Sequence, residues 1–316
     1  MIVPEIMQHV FAPIADPNWV ILVDGYDALH ESSVESRFAI SNGFLGVRGA
    51  RSTTRGGRWV VPARTYVAGL FDTSGADHAT RDLIPAADWL RVRILLPDGP
   101  LLHHPRDVSS HRMTLDMRRG ALLSEGRHLG APDLSLHVHT SRLVSLSDRA
   151  IGLQLIRLNI EDGELDVTLE ASFEGAELGL VIERLGQDLG LWHTQHSGKR
   201  LAMATVAALR VDGRDIPSTA LGSLKSSWTW KSRPGQAVCF QRCVAIVRGD
   251  TGGPDPAKEA LEKLNRARDL GWRGVVAAHE AAWLSRWRCS DVEVDGDADA
   301  QLALRFALYH LNSATT

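Results

Sequence analysis

From Asp297 to Leu311 the chain reads DADAQLALRFALYHL, and this stretch limits what the rest can fold into. Asp297 or Asp299 can cap a helix start, its carboxylate accepting from N–H groups that have no intrahelical partner. Leu302, Leu304, Phe306, Leu308, Tyr309 and Leu311 follow, with Ala303 and Ala307 between them. Laid on a helix, these residues cover nearly the whole circumference, and a helix apolar all round belongs inside a large core. Burial contributes about 1.5–3 kcal/mol per such side chain. Roughly 10 kcal/mol is therefore at stake, against the ~5–15 kcal/mol by which whole domains are stable. The expectation is that residues 297–316 open a second, helical domain that this chain does not contain.

Before residue 256 the pattern is of strands and turns. Trp19–Val23 is a short apolar run ending at Asp24-Gly25, and Phe38–Ile40 leads into Asn42-Gly43, a dipeptide that tolerates positive φ. Trp89–Leu96 carries arginines on its wet face. Leu134, Leu136 and Val138 alternate with Ser135, His137 and His139, the period of a half-buried strand. Ile151–Ile160 and Leu165–Leu169 flank Glu161-Asp162-Gly163, which predicts a hairpin with its acidic residues on the wet side. Further strands are predicted at Leu201–Val211 and Ala237–Val247. Many strands with little helical periodicity predict a mainly β domain over 1–255, a large antiparallel β-sandwich or barrel. Thr251-Gly-Gly-Pro-Asp-Pro256 breaks the pattern. Helices are then expected over Lys258–Leu270 and Gly274–Trp287, so residues 256–296 form a helical linker.

The chemistry-bearing residues are few. Gly43, Gly46 and Gly49 permit close backbone approach in the Glu35–Gly49 loop, and Asn42, Arg48 and Arg55 are its candidate substrate-binding residues for a polyhydroxylated or anionic ligand. The alternative is a structural hairpin with Glu35 and Arg48 paired inside the fold. No Lys-Ser/Thr follows, so this is not a nucleotide loop. His137 and His139 share a strand face, but no carboxylate or cysteine at ligand spacing joins them, so no metal site is expected. Trp283 and Trp287, one helical turn apart, fit core packing better than a sugar-stacking shelf. Cys239 and Cys243 fit inert strand thiols better than a redox pair. No Ser-His-Asp signature or other catalytic set is expected from the residues, nor any cofactor.

A net charge of −3 gives no basic field for nucleic acid and no polybasic membrane patch. The start MIVPEIMQHVFAP lacks a cationic region and a sustained apolar run, so no signal peptide is expected, and no window approaches the ~20 apolar residues of a spanning helix. Three cysteines without a CxxC pair fit a reducing, cytoplasmic setting.

The run Glu35-Ser-x-Phe-x-Ile-x-Asn-Gly-Phe-Leu-Gly-Val-Arg-Gly49 resembles the amino-terminal fingerprint of glycoside hydrolase family 65, which includes the maltose, trehalose and kojibiose phosphorylases. Tyr66–Asp72, Leu115–Gly120, Arg142–Asp148, His279-x-x-x-Trp283-x-x-x-Trp287 and Gln301–Leu311 resemble further family segments in the same order. The resemblance implies a galactose mutarotase-like supersandwich, a helical linker, and the first helix of an (α/α)6 barrel that is otherwise missing. It implies chemistry in which a barrel glutamic acid protonates the leaving oxygen while phosphate, or an activated water, attacks the opposite face of the sugar. No catalytic residue of the family maps onto this chain. The partners implied are the barrel, a disaccharide and inorganic phosphate; a homodimer is compatible. An alternative is a stand-alone carbohydrate-binding module or mutarotase-like epimerase. That reading would need a histidine and a carboxylate converging on the sugar, with His103, His137, His139 and Glu170 as its candidates.

Overall fold

The computed structural model describes residues 9–25, 27, 30–50, 64–74, 80–101, 108–131, 134–176 and 179–315. Arg51, Arg55, His103 and His104 lie outside the described residues. Two antiparallel sheets dominate. The larger, ten-stranded sheet runs in the order Val20–Asp24, Val108–Asp116, Ala121–Ala131, Leu134–Val144, Ile151–Asp162, Ala237–Asp250, Lys199–Val211, Leu189–His193 and Val181–Leu185. Arg214–Ile216 also pairs onto Lys199–Val211. The five-stranded sheet runs Thr219–Gly222, Lys225–Lys231, Asp166–Ser172, Val92–Leu96 and Gly99–Pro100.

Alternation decides which side each strand buries. Leu136, Val138, Ile156 and Leu158 of the large sheet meet Ile94, Val167, Leu169 and Trp228 of the small one in a closed apolar core. Residues one step out of phase, including His137 and His139, therefore project from the opposite face of the large sheet. Part of that outer face is roofed. Ala202, Ala204, Leu153 and Val247 pack under Ala260, Leu264, Ala267 and Val276 of a long helix, Pro256–Ser290. Asp255 caps this helix through Ala257 N–H, and Gly271 (φ 71°, ψ 160°) breaks it, which matches the two predicted helices. Among the described residues no helix is long and apolar enough to cross a membrane.

Two expectations change. Ile151–Asp162 and Asp166–Ser172 are not a hairpin: the first pairs with Leu134–Val144 and Ala237–Asp250, the second with Lys225–Lys231 and Val92–Leu96. The turn at Gly163 (φ 104°) is real but carries the chain from one sheet to the other, so Leu158 and Val167 share the core between the sheets. The acidic residues there divide between the sheets, Glu161 pairing with Arg127 and Glu164 with Lys231. Secondly, a helix (Glu31–Arg37) precedes the Asn42-Gly43 turn, where only strands and turns were expected.

Within this chain the terminal helix, Ala298–Ala314, buries one side. Its buried positions are Gln301, Arg305, Tyr309 and Ser313, four residues apart and so on one line. Three of the four are polar, and each has hydrogen-bond partners. Gln301 accepts from Val294 N–H and donates to the Val292 carbonyl, the Arg305 fork holds Asp291 at 2.8 and 3.0 Å, and Ser41 donates to the Ser313 carbonyl. Leu302, Phe306 and Leu308 flank the line half-buried, while Leu311 is 65% exposed. Of the two candidate caps, Asp297 accepts from Ala300 N–H.

Candidate functional site on the outer face of the large sheet

The outer face of the large sheet carries a polar row built by register. Asp24 lies opposite Arg112, Arg112 opposite Glu125, and Glu125 opposite His139. His139 lies opposite Arg157, Arg157 opposite Cys239, Cys239 opposite Arg210, and Arg210 opposite Asp215. Cross-strand neighbours of this kind stand about 4.5–5.5 Å apart at Cβ. Asp24 and Arg112 form an exposed ion pair at 2.7 Å, and Arg112 reaches Glu125 at 3.7 Å.

At the centre of the row, His137 and His139 stand two residues apart on one strand with ring centroids 4.0 Å apart. Glu125 Oε2 lies 3.7 Å from His139 Nδ1, and single ligand atoms of Glu125, His137 and His139 all lie within 4.8 Å of one another. His139 is buried, with the Phe11 ring edge-on at 6.4 Å. Burial, then His137 and Arg157, push its pKa down to about 3, so the ring is neutral at ordinary pH. The expectation that no carboxylate joins these histidines therefore changes: Glu125 joins them from the neighbouring strand, invisible to spacing along the sequence.

Beside this cluster lies a groove of about 470 Å³ whose lining includes Phe11, Arg157, Asn159, Cys239, Gln241 and Trp272. Trp272 is placed there by the helix break at Gly271. Arg157 stacks on Phe11 at 5.3 Å, and its Nε, like Gln236 Oε1 in the same wall, makes no hydrogen bond among the described residues. Burial lowers the Arg157 pKa and raises that of Cys239. Cys243, pushed up to about 12 by burial, is an inert thiol, as expected.

The other candidates are committed to the scaffold. Asn42 is fully buried: its amide donates to the Ser145 and Arg149 carbonyls, and its oxygen accepts from Phe44 and Leu45 N–H. A side chain so fully engaged has nothing left for a substrate. Arg48 faces the Glu31–Arg37 helix, 3.7 Å from Glu35 and donating to Ser32 and Ser36, which is the structural alternative weighed for this loop. Gly49 is required by close approach, since a Cβ there would meet the Phe38 carbonyl oxygen at 2.7 Å. Trp283 and Trp287 are core residues.

Glu170 lies on the far side of the small sheet, held by Arg93 at 3.4 Å and Lys225 at 3.5 Å. His137 and His139 face out from the large sheet, with the whole sandwich core between, so Glu170 cannot join either histidine on one sugar ring. The carboxylate near the histidines is Glu125. Its strand, Ala121–Ala131, and its neighbour Val108–Asp116 carry the weak alternation that sequence reading missed.

Comparison with known proteins accounts for this architecture. Residues 21–286 match the family described as glycosyl hydrolase family 65, N-terminal domain. The chain is similar to an uncharacterized glycosyl hydrolase of Mycobacterium tuberculosis, 26% identical over 313 residues that cover 89% of this chain and 39% of the relative. It is similar to a kojibiose phosphorylase of Thermoanaerobacter brockii, 22% identical and covering 98% and 43% respectively. Its fold resembles the solved structure of a putative kojibiose phosphorylase from human microbiome, with TM-score 0.77 and 18% identity, covering 94% of this chain and 41% of that one. The chain thus spans about two fifths of the curated relatives it matches. With most of its length accounted for by one family, the chain belongs to glycosyl hydrolase family 65 as its N-terminal domain.

Proposed function

We propose that this chain is the non-catalytic sandwich and helical linker of an inverting phosphorylase or hydrolase acting on a glucose disaccharide such as kojibiose, trehalose or maltose. In this reading residues 1–255 are the sandwich, 256–296 the linker, and 297–316 the first helix of an (α/α)6 barrel. The barrel supplies the acid that protonates the leaving oxygen and the site for phosphate or water. The observation that carries the reading is the separation of candidates: Glu170 and the His137–His139 pair lie on outer faces of opposite sheets, while Asn42 and Arg48 are spent on the fold. Kinship with the phosphorylases supports the choice of substrate class.

The test is an assay of purified chain with kojibiose, nigerose, maltose or trehalose, with and without inorganic phosphate. No release of glucose or glucose phosphate is expected. Turnover that persists in preparations free of any full-length enzyme would overturn the proposal.

A second reading, a carbohydrate-binding module, is favoured by the groove beside Arg157. Trp272 and Phe11 offer apolar faces, and Asn159 and Gln241 offer amides, the combination that suits a sugar's C–H face and hydroxyls. Calorimetric titration with kojibiose and glucose separates the readings. Binding that is lost in Trp272→Ala supports the module, and no heat supports the scaffold.

A further inference from the structure

We propose that Glu125, His137 and His139 form a binding site for a divalent transition ion of the zinc type. Two imidazoles from one strand and a carboxylate from the strand beside it supply three ligands, with the fourth position left to water. Positions two apart project from the same face, so His137 and His139 aim together rather than apart, and their ring centroids are 4.0 Å apart. The register then sets Glu125 directly opposite His139.

The spacing is that of a site awaiting small adjustment. Zinc bound tetrahedrally at ~2.0–2.2 Å holds neighbouring ligand atoms roughly 3.3–3.6 Å apart. Here Glu125 Oε2 is 3.7 Å from His139 Nδ1, and the full set lies within 4.8 Å. Side-chain rotation of about an ångström closes the set without moving the backbone, which the sheet hydrogen bonds hold.

The chemistry of the donors agrees. Two imidazoles and one carboxylate suit zinc and its transition-metal neighbours better than calcium or magnesium, which take oxygen sets. Each imidazole offers one ring nitrogen to the set. Of the nearby cations, Arg112 is already balanced by Asp24 at 2.7 Å. Arg157 is the one that opposes an ion, and it is turned onto the Phe11 ring.

The experiment uses the whole chain after chelator dialysis, titrated with cobalt(II) and followed by its visible d–d absorption, then with zinc(II) by calorimetry. The expected result is one equivalent bound, with the intense band of four-coordinate cobalt. Affinity should weaken by roughly tenfold or more in Glu125→Gln and in His137→Gln. Both positions are only partly buried, so their circular dichroism melts should stay near that of the parent. Stoichiometric binding that both variants leave unchanged assigns the metal to other side chains and overturns the proposal. So does the lack of any saturable binding.

Discussion

The indole of Trp283 lies stacked on the ring of Tyr309, with centroids 5.3 Å apart and planes inclined by 20°. Both rings are fully buried, and they join the long helix to the terminal one. Tyr309→Ala should cost about 3–5 kcal/mol, as for other large buried aromatic truncations. Tyr309→Phe should behave oppositely. Among the described residues the Tyr309 hydroxyl has no hydrogen-bond partner, so removing it relieves a buried polar group and should leave stability unchanged or raised by about 1 kcal/mol. Urea unfolding of the two variants beside the parent is the check, and equal losses in both would contradict this account.

Gly120 meets the same tryptophan from the other side. Its φ is 59°, and a Cβ built there would fall 2.0 Å from Trp283 Nε1. Gly120→Ala therefore combines a left-handed backbone cost of about 1 kcal/mol with displacement of a packed indole, for a total of roughly 3 kcal/mol or more. A melting temperature close to that of the parent would show that the indole has room to move.

His279 makes stability depend on pH. Its Nδ1 accepts from Leu146 N–H and its Nε2–H donates to the Arg119 carbonyl, which leaves no room for a second ring proton. Burial pushes its pKa down to about 4 from 6.5. The unfolded chain therefore takes up a proton that the folded one refuses. The stabilisation is fully present above pH 6.5 and is lost as pH falls toward 4, by at most roughly 3 kcal/mol. Unfolding free energies at pH 7.5 and 5 should fall more steeply for the parent than for His279→Gln. Parallel slopes would remove His279 as the cause.

Asn42 is predicted to matter for stability and not for ligands. Asn42→Ala strands the Phe44 and Leu45 N–H groups and the Ser145 and Arg149 carbonyls, for about 2–4 kcal/mol. Asn42→Asp should be worse, because a carboxylate would face those two carbonyls. Any sugar affinity measured for the parent should survive in the folded fraction of Asn42→Ala.

The alternation of Leu136, His137, Val138 and His139 was enough to assign faces, and the breaker cluster Thr251–Pro256 was enough to place the start of the long helix; the two predicted helices bracket the Gly271 break, and the terminal cap was narrowed to Asp297 or Asp299. Those are local signals. What escaped was pairing. Gly163 makes a turn whether the strands after it lie side by side or cross to another sheet, so Ile151–Asp162 and Asp166–Ser172 looked like a hairpin. Glu125 stayed hidden for the same reason: its nearness to His139 is set by register across strands fourteen residues apart in sequence, not by spacing along either. Within this chain the buried line of the terminal helix is taken by Gln301, Arg305, Tyr309 and Ser313, and an apolar count does not pick it out because the hydrogen bonds of its polar members are set by the fold.

The polar row from Asp24 to Asp215 also has a bearing on how the sheet assembles. A strand that pairs one residue out of step turns every side chain to the other face. For Leu134–Val144 such a slip would drive His137 and His139 into the apolar space between the sheets and lift Leu136 and Val138 out of it, and for Ile151–Asp162 it would drive Arg157 in and lift Ile156 and Leu158 out. Each strand thereby proofreads its neighbour, and the charges that stabilise the finished sheet only modestly make its mispaired competitors expensive.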